Sequence, residues 1–250
     1  MLAYRSVDMG WGRLAYRSIE GGPGTEAAPP MVLVHGGGGD GTTWDALAPT
    51  FARHRTVHLP DLRGMGRSDQ VGPYSLTVLR DDVLAFLDRL ALERVVLVGH
   101  SLGAAVALLA AERDPERVFA LVLEECPPPV PLGIIVPTDL PDSAPYYDRE
   151  IRPSVLAELN APDPARWSAL ASLSVPTLVV AGGPGSYLPQ EPMARMAESL
   201  PASRLVTIPT DHHVHAQAPD TFVSTVESFL ADPPTADADP PTARAEPSGA

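Results

Sequence analysis

The sequence predicts an α/β fold: a mostly parallel sheet with helices on both faces and a small inserted cap. Two observations carry that prediction. Runs such as MVLVH (31–35), RVVLVGH (94–100) and TLVVAG (177–182) are almost wholly apolar and alternate with segments of helical character. A strand with no polar face is buried on both sides, as in a parallel sheet covered by helices. Residues 126–176 then break the rhythm with many prolines and no strand. A compact domain rarely holds so long an irregular loop unless it is a lid, so this stretch reads as a cap over a site.

The elements follow in order. LAYRS occurs at 2–6 and 14–18 with GWG between, an alternating pattern that reads as an antiparallel hairpin. After the strand at 31–35, TWDALAPTFA (43–52) is helix-like, RTVHLPD (55–61) a strand and LTVLRDDVLAFLDRLAL (76–92) an amphipathic helix. RVVLVGH is followed by the apolar helix LGAAVALLAAERD (102–114) and the strand VFALVLEE (118–125). The cap has short helices around SVLAELN and PARWSALASL. Beyond TLVVAG come a helix at 191–200, a strand at 204–209 and a last helix at 219–231. The expected core is 1–125 with 177–231, the cap 126–176, and 232–250 a Pro/Ala/Asp-rich disordered tail.

The bulk composition excludes several functions. The 250 residues carry a net charge of −13, and all 18 basic residues are arginine, which reads as codon bias. So acidic a chain repels phosphate backbones and anionic lipid heads, so neither nucleic acid nor membrane is an expected partner. No apolar run is long enough to span a bilayer, and MLAYRSVDMG has no signal-peptide core. A single cysteine, Cys126, excludes an internal disulfide and fits the cytoplasm.

The most specific signal is Gly99-His100-Ser101-Leu102-Gly103, a G-x-S-x-G between a strand and a helix. The chain must reverse so sharply that the serine is strained, and side chains two residues before and after it would collide. The serine hydroxyl is then exposed at the carboxyl edge of the sheet, at the amino end of a helix whose dipole favours negative charge. HGGGGDGTTW (35–44), DLRGMGRSD (61–69) and HHVHAQAPDTF (212–222) accompany it.

On these motifs the chain, from about Arg13 to Ala231, resembles the α/β-hydrolase superfamily. The resemblance implies Ser101 as nucleophile and an oxyanion hole built from the backbone N–H groups of Leu102 and of Gly37, which follows His35-Gly36. Asp61 and Arg63 read as loop braces, His54 and His58 as surface or strand-end residues. The base should follow the last strand; in the sequences it resembles the base lies seven residues before a proline that opens the final helix, and counting back from Pro219 gives His212, with His213 as runner-up and His215 turned toward helix or cap. H-H-x-H without thiolate or acidic cluster is a weak ligand set, so no metal and no cofactor is expected.

The third member is not where most of the superfamily keeps it. The loop after TLVVAG reads GGPGSYLPQ, with no acid before Glu191. One strand earlier, LVLEE ends in two glutamates that alternate faces. Haloalkane dehalogenases and zearalenone lactonases hold the acid at the end of that strand, and the matching position is Glu125; Glu124 is the alternative, or a residue that merely solvates the loop.

A serine nucleophile implies acyl transfer rather than alkyl-ester chemistry. The expected activity is hydrolysis of a carboxylic ester or lactone by Ser101, His212 and Glu125, on an apolar, uncharged small molecule. Gly36, His100 and the cap residues Tyr146, Tyr147 and Trp167 are candidate substrate contacts. Rival readings are a cofactor-free perhydrolase, a C–C hydrolase or lyase on the same residues, and a small-molecule receptor with slow turnover.

Overall fold

The computed structural model describes residues 2–134 and 150–236. Tyr146, Tyr147 and the chain beyond 236 therefore lie outside the described residues. One eight-stranded sheet runs in the order β1-β2-β4-β3-β5-β6-β7-β8. β1 (Arg5–Asp8) and β2 (Arg13–Ile19) form the hairpin, and β2 pairs antiparallel with β4 (Val57–Pro60). β3 (Met31–Val34), β5 (Val95–His100), β6 (Val118–Glu124), β7 (Thr177–Ala181) and β8 (Ser203–Thr207) join β4 in parallel.

Two expected elements are shifted. The first strand starts later than LAYRS, because the turn closes where Met9 N–H donates to Gly12 O at 2.9 Å, pairing Asp8 with Arg13. The helix expected at 43–52 is a 3₁₀ turn, Gly41–Trp44, and then α1 (Ala48–Phe51). Asp40 caps the turn, accepting from Thr42 N–H at 2.7 Å, while Pro49 can sit only in the first turn of a helix, which forces a fresh start.

The remaining helices are α2 (Leu76–Arg89), α3 (Leu102–Arg113), α4 (Ile151–Asn160), α5 (Arg166–Ala171), α6 (Gln190–Ser199), α7 (Val214–Gln217) and α8 (Pro219–Ala231). None among the described residues is long and apolar enough to cross a membrane.

Strand parity sorts the core into two layers. Val32, Val34, Leu97, Leu121, Leu123 and Val179 pack with α2, α3 and α6 on one face. Met31, Leu33, Val98, Val122, Leu178 and Val180 pack with α1 and α8 on the other. The same alternation carries past the strand ends and separates Glu124 from Glu125. Both glutamates are fully buried, so neither solvates a loop. His58 is also buried rather than a surface residue: it sits in β4, its Nδ1 2.8 Å from Ser18 Oγ.

Candidate active site

Ser101 lies between β5 and α3 with φ 51° and ψ −115°, the strained turn expected of the motif. Its flanking glycines are steric necessities. A Cβ on Gly99 would lie 2.3 Å from Gly103 O, and one on Gly103 would lie 2.4 Å from both Val34 O and His35 O. Only without side chains can the elbow press this closely onto β3.

Glu125 follows β6 and also takes a positive φ, 47°. Its amide donates to Val180 O at 2.8 Å, which fixes the bend against β7. The carboxylate then accepts from Gly182 N–H at 2.6 Å, from the Ser186 hydroxyl, and from Gln190 Nε2 at 3.4 Å. His212 Nδ1 lies 3.1 Å from Glu125 Oε2. Burial pushes the Glu125 pKa upward, but the bonds from His212, Ser186 and Gly182 outweigh it and hold the carboxyl below the usual glutamate range. The group is thus a buried anion that fixes the proton of His212 on Nδ1.

The loop that lacks the expected acid supplies two hydroxyls instead. Ser186 bonds the displaced carboxylate, and the Tyr187 hydroxyl sits 2.9 Å from His212 Nε2. Desolvation raises the Tyr187 pKa, with the neighbouring Ser101 hydroxyl and the Arg152 charge acting against it. The phenol thus touches both the imidazole and the serine hydroxyl. Sequence reasoning examined this loop only for an acid and so missed Tyr187.

Gly37 and Leu102 lie side by side: a Cβ on Gly37 would be 3.4 Å from Leu102 Cδ2. Both line the pocket with Ser101, Tyr187, His212 and His213. His35 is a brace, accepting from Leu62 N–H at 3.0 Å through Nε2 while its Nδ1 faces Gly36 O at 2.8 Å. Asp61 and Arg63 brace as well, Asp61 accepting from Gly41 N–H at 2.8 Å and Arg63 pairing with Asp82 at 2.6 Å.

Two expected substrate contacts fall elsewhere. Gly36 is not on the pocket wall; a Cβ there would meet His100 Nδ1 at 2.6 Å, so its glycine makes room for that ring. Trp167 lies beneath the Arg195 guanidinium at 4.5 Å, held there because α5 packs on α6. His100 does line the pocket, but its Nε2 donates to His212 O at 2.8 Å, and burial pushes its pKa down to about 4.

Behind the site lies a second imidazole–carboxylate pair. His215 Nδ1 is 2.8 Å from Glu124 Oε2, and Glu124 Oε1 also accepts the His215 N–H at 2.8 Å. His215 therefore points into the core, stacked on Trp44 at 4.2 Å and facing Phe222 of α8, toward the helix rather than the cap. His100, Glu124 and His215 bring donor atoms within 4.8 Å of one another, the one such group among the described residues. Parity and the register His100↔Glu124 put both side chains on one face, and the bonds just given already occupy them.

The chain as a whole has relatives. A pimeloyl-[acyl-carrier protein] methyl ester esterase of Aeromonas hydrophila is 29% identical over 246 residues, covering 81% of this chain and 95% of that one. A hydrolase of Pseudomonas aeruginosa PA01 superposes with a TM-score of 0.76 at 26% identity, covering 92% of this chain and 98% of the other. The enol-lactonase of Burkholderia xenovorans LB400 shares the fold, with a TM-score of 0.75 at 21% identity over 91% of this chain and 100% of its own. The family model described as the alpha/beta hydrolase fold matches residues 29–154, half of the chain, and with the sheet order and elbow above it shows that this protein belongs to the α/β-hydrolase family.

Proposed function

We propose that the chain is a serine hydrolase that cleaves a carboxylic ester or lactone through an acyl-enzyme. The reading is supported by one observation: His212 Nδ1 lies 3.1 Å from Glu125, while its Nε2, 2.9 Å from the Tyr187 hydroxyl, belongs to a ring that lines the same pocket as Ser101. Ser101 Oγ attacks the carbonyl carbon and its proton passes to Nε2. The N–H groups of Gly37 and Leu102 hold the oxyanion. As the intermediate collapses, the bond to the alcohol oxygen breaks and His212 returns the proton to it. Water then attacks the acyl carbon, giving its proton to His212, and the acid leaves as Ser101 is regenerated. Glu125 keeps the imidazole in its productive tautomer and stabilises the imidazolium. No cofactor enters these steps.

Residues 126–176 act as the cap in this reading. Ile134, Ile151, Val155, Leu156 and Leu159 line a cavity of about 460 Å³, which suits an ester or lactone with an apolar part of modest size. The sole cysteine, a buried free thiol whose pKa burial pushes up to about 12, fits a reducing, cytoplasmic setting. The test is a fluorophosphonate probe together with a panel of esters and lactones. Wild type should be labelled at Ser101 and turn over some of the panel, and Ser101→Ala should do neither. Tight ligand binding without labelling would favour a receptor.

A further inference from the structure

The wall that α4 gives the pocket is apolar except at one place. Arg152 lines the same cavity as Ile151, Val155 and Leu156, is half-buried, and among the described residues makes no ion pair or hydrogen bond. Other arginines with little solvent exposure are partnered: Arg17 with Asp45, Arg63 with Asp82, Arg166 with Glu112. Arg152 also stands in the first turn of α4, which contains no acidic residue. A cation there opposes the helix dipole, and half-burial removes part of its hydration. In a chain of net charge −13, a cation at such a position against an apolar cavity, with no partner among the described residues, violates local rules.

A ligand can provide that compensation. We propose that Arg152 is a specificity-determining residue that binds a carboxylate on the substrate, so that the preferred ester or lactone carries an apolar spacer between its scissile carbonyl and an anionic end. The proposal rests on the hydrolytic reading above and narrows it from an apolar molecule to an amphiphilic one. A guanidinium pairs with a carboxylate through two parallel hydrogen bonds, and an apolar surround screens that pair less than water does. The Arg152 charge already acts on the Tyr187 phenol, which touches both Ser101 and His212.

The test uses matched ester pairs. The p-nitrophenyl half-esters of glutaric, adipic and suberic acid are compared with the p-nitrophenyl esters of the neutral acids of equal chain length. Acetyl esters of ω-hydroxy acids, against those of the corresponding alcohols, place the charge on the alcohol half. For at least one pair, wild-type kcat/KM should favour the charged member by about tenfold or more, as one charge-assisted contact permits. Arg152→Gln should cut the charged rate at least about tenfold more than the neutral one, and Arg152→Lys should restore part of the preference. No preference in any pair, or a preference that survives Arg152→Gln, overturns the proposal. Calorimetry on Ser101→Ala with the same compounds separates this from failure of the hydrolytic reading. If Ser101 is neither labelled nor needed for turnover, that reading falls, yet tighter binding of charged members that vanishes in Ser101→Ala/Arg152→Gln still supports the anion site. Equal binding in both backgrounds removes it.

Discussion

The Tyr187 hydroxyl lies 2.9 Å from Nε2 of His212, the atom that takes the proton of Ser101 in the proposed reaction. With the His212 proton held on Nδ1 by Glu125, Nε2 offers one lone pair, and phenol and serine compete for it. Tyr187→Phe removes the competitor. A neutral hydrogen bond is worth about 1 kcal/mol, so fluorophosphonate labelling of Ser101 should speed up about fivefold. An unchanged labelling rate would mean that the phenol does not compete for Nε2, and a slower one that it assists.

The two adjacent glutamates should fail in different ways. Glu125→Gln keeps the volume but offers an amide where His212 needs an acceptor, so kcat should fall by about a thousandfold or more with the far-UV spectrum unchanged. His215→Leu instead leaves the Glu124 carboxylate buried with only a backbone N–H for a partner. That should cost about 3 kcal/mol in urea unfolding, as breaking a buried pair from one side does. Equal effects of the two variants on activity and stability would show that the pairs are not separate devices.

Acid should unfold the protein in a window set by buried histidines. Burial holds His58 down to about 4 from an ordinary value of about 6.5. The unfolded chain therefore binds the proton first, and stability is lost as pH falls from about 6.5 toward about 4. At pH 5 this one group should have removed about 2 kcal/mol relative to neutral pH. Urea midpoints for wild type and His58→Gln, compared at both pH values, check it: the variant should show a correspondingly smaller drop.

The elbow tolerates no methyl group. Gly103→Ala sets a Cβ against two carbonyl oxygens at 2.4 Å, both on the backbone of the β3 edge and unable to swing aside. It should lower stability by about 3 kcal/mol or more, and fluorophosphonate labelling should drop with it as Ser101 is displaced. A melting temperature close to that of wild type would show that β3 yields.

Much of this was legible before any coordinates. The parity of LVLEE separates Glu124 from Glu125, and the resemblance to the α/β-hydrolases, through the spacing from Ser101 and from Pro219, favours Glu125 and His212. The structure brings those two within 3.1 Å across a separation of 87 residues. The break at Pro49 was overlooked because helical periodicity masks a proline that can only restart a helix. The pairing of Glu124 with His215 is not legible in the sequence, because position at a strand end suggests solvation, and the fit of His100 against Gly36 is set by packing between the end of β5 and the loop after β3. Chain ends of central strands are in fact roofed by the following loops.

The sequence alone determined what acts locally: apolar runs that must be buried on both faces, a serine between glycines that no side chain could replace, and a loop without an acid. Those follow from sterics and burial within a few residues. The tertiary structure decided what meets across distance: that Tyr187 takes the second nitrogen of His212, that Glu124 grips His215, and that Arg152 faces an apolar cavity with no partner among the described residues. Such contacts join segments far apart in the chain. Their geometry is set by how α4 and the loops after β6, β7 and β8 pack over one sheet edge, which no local pattern encodes.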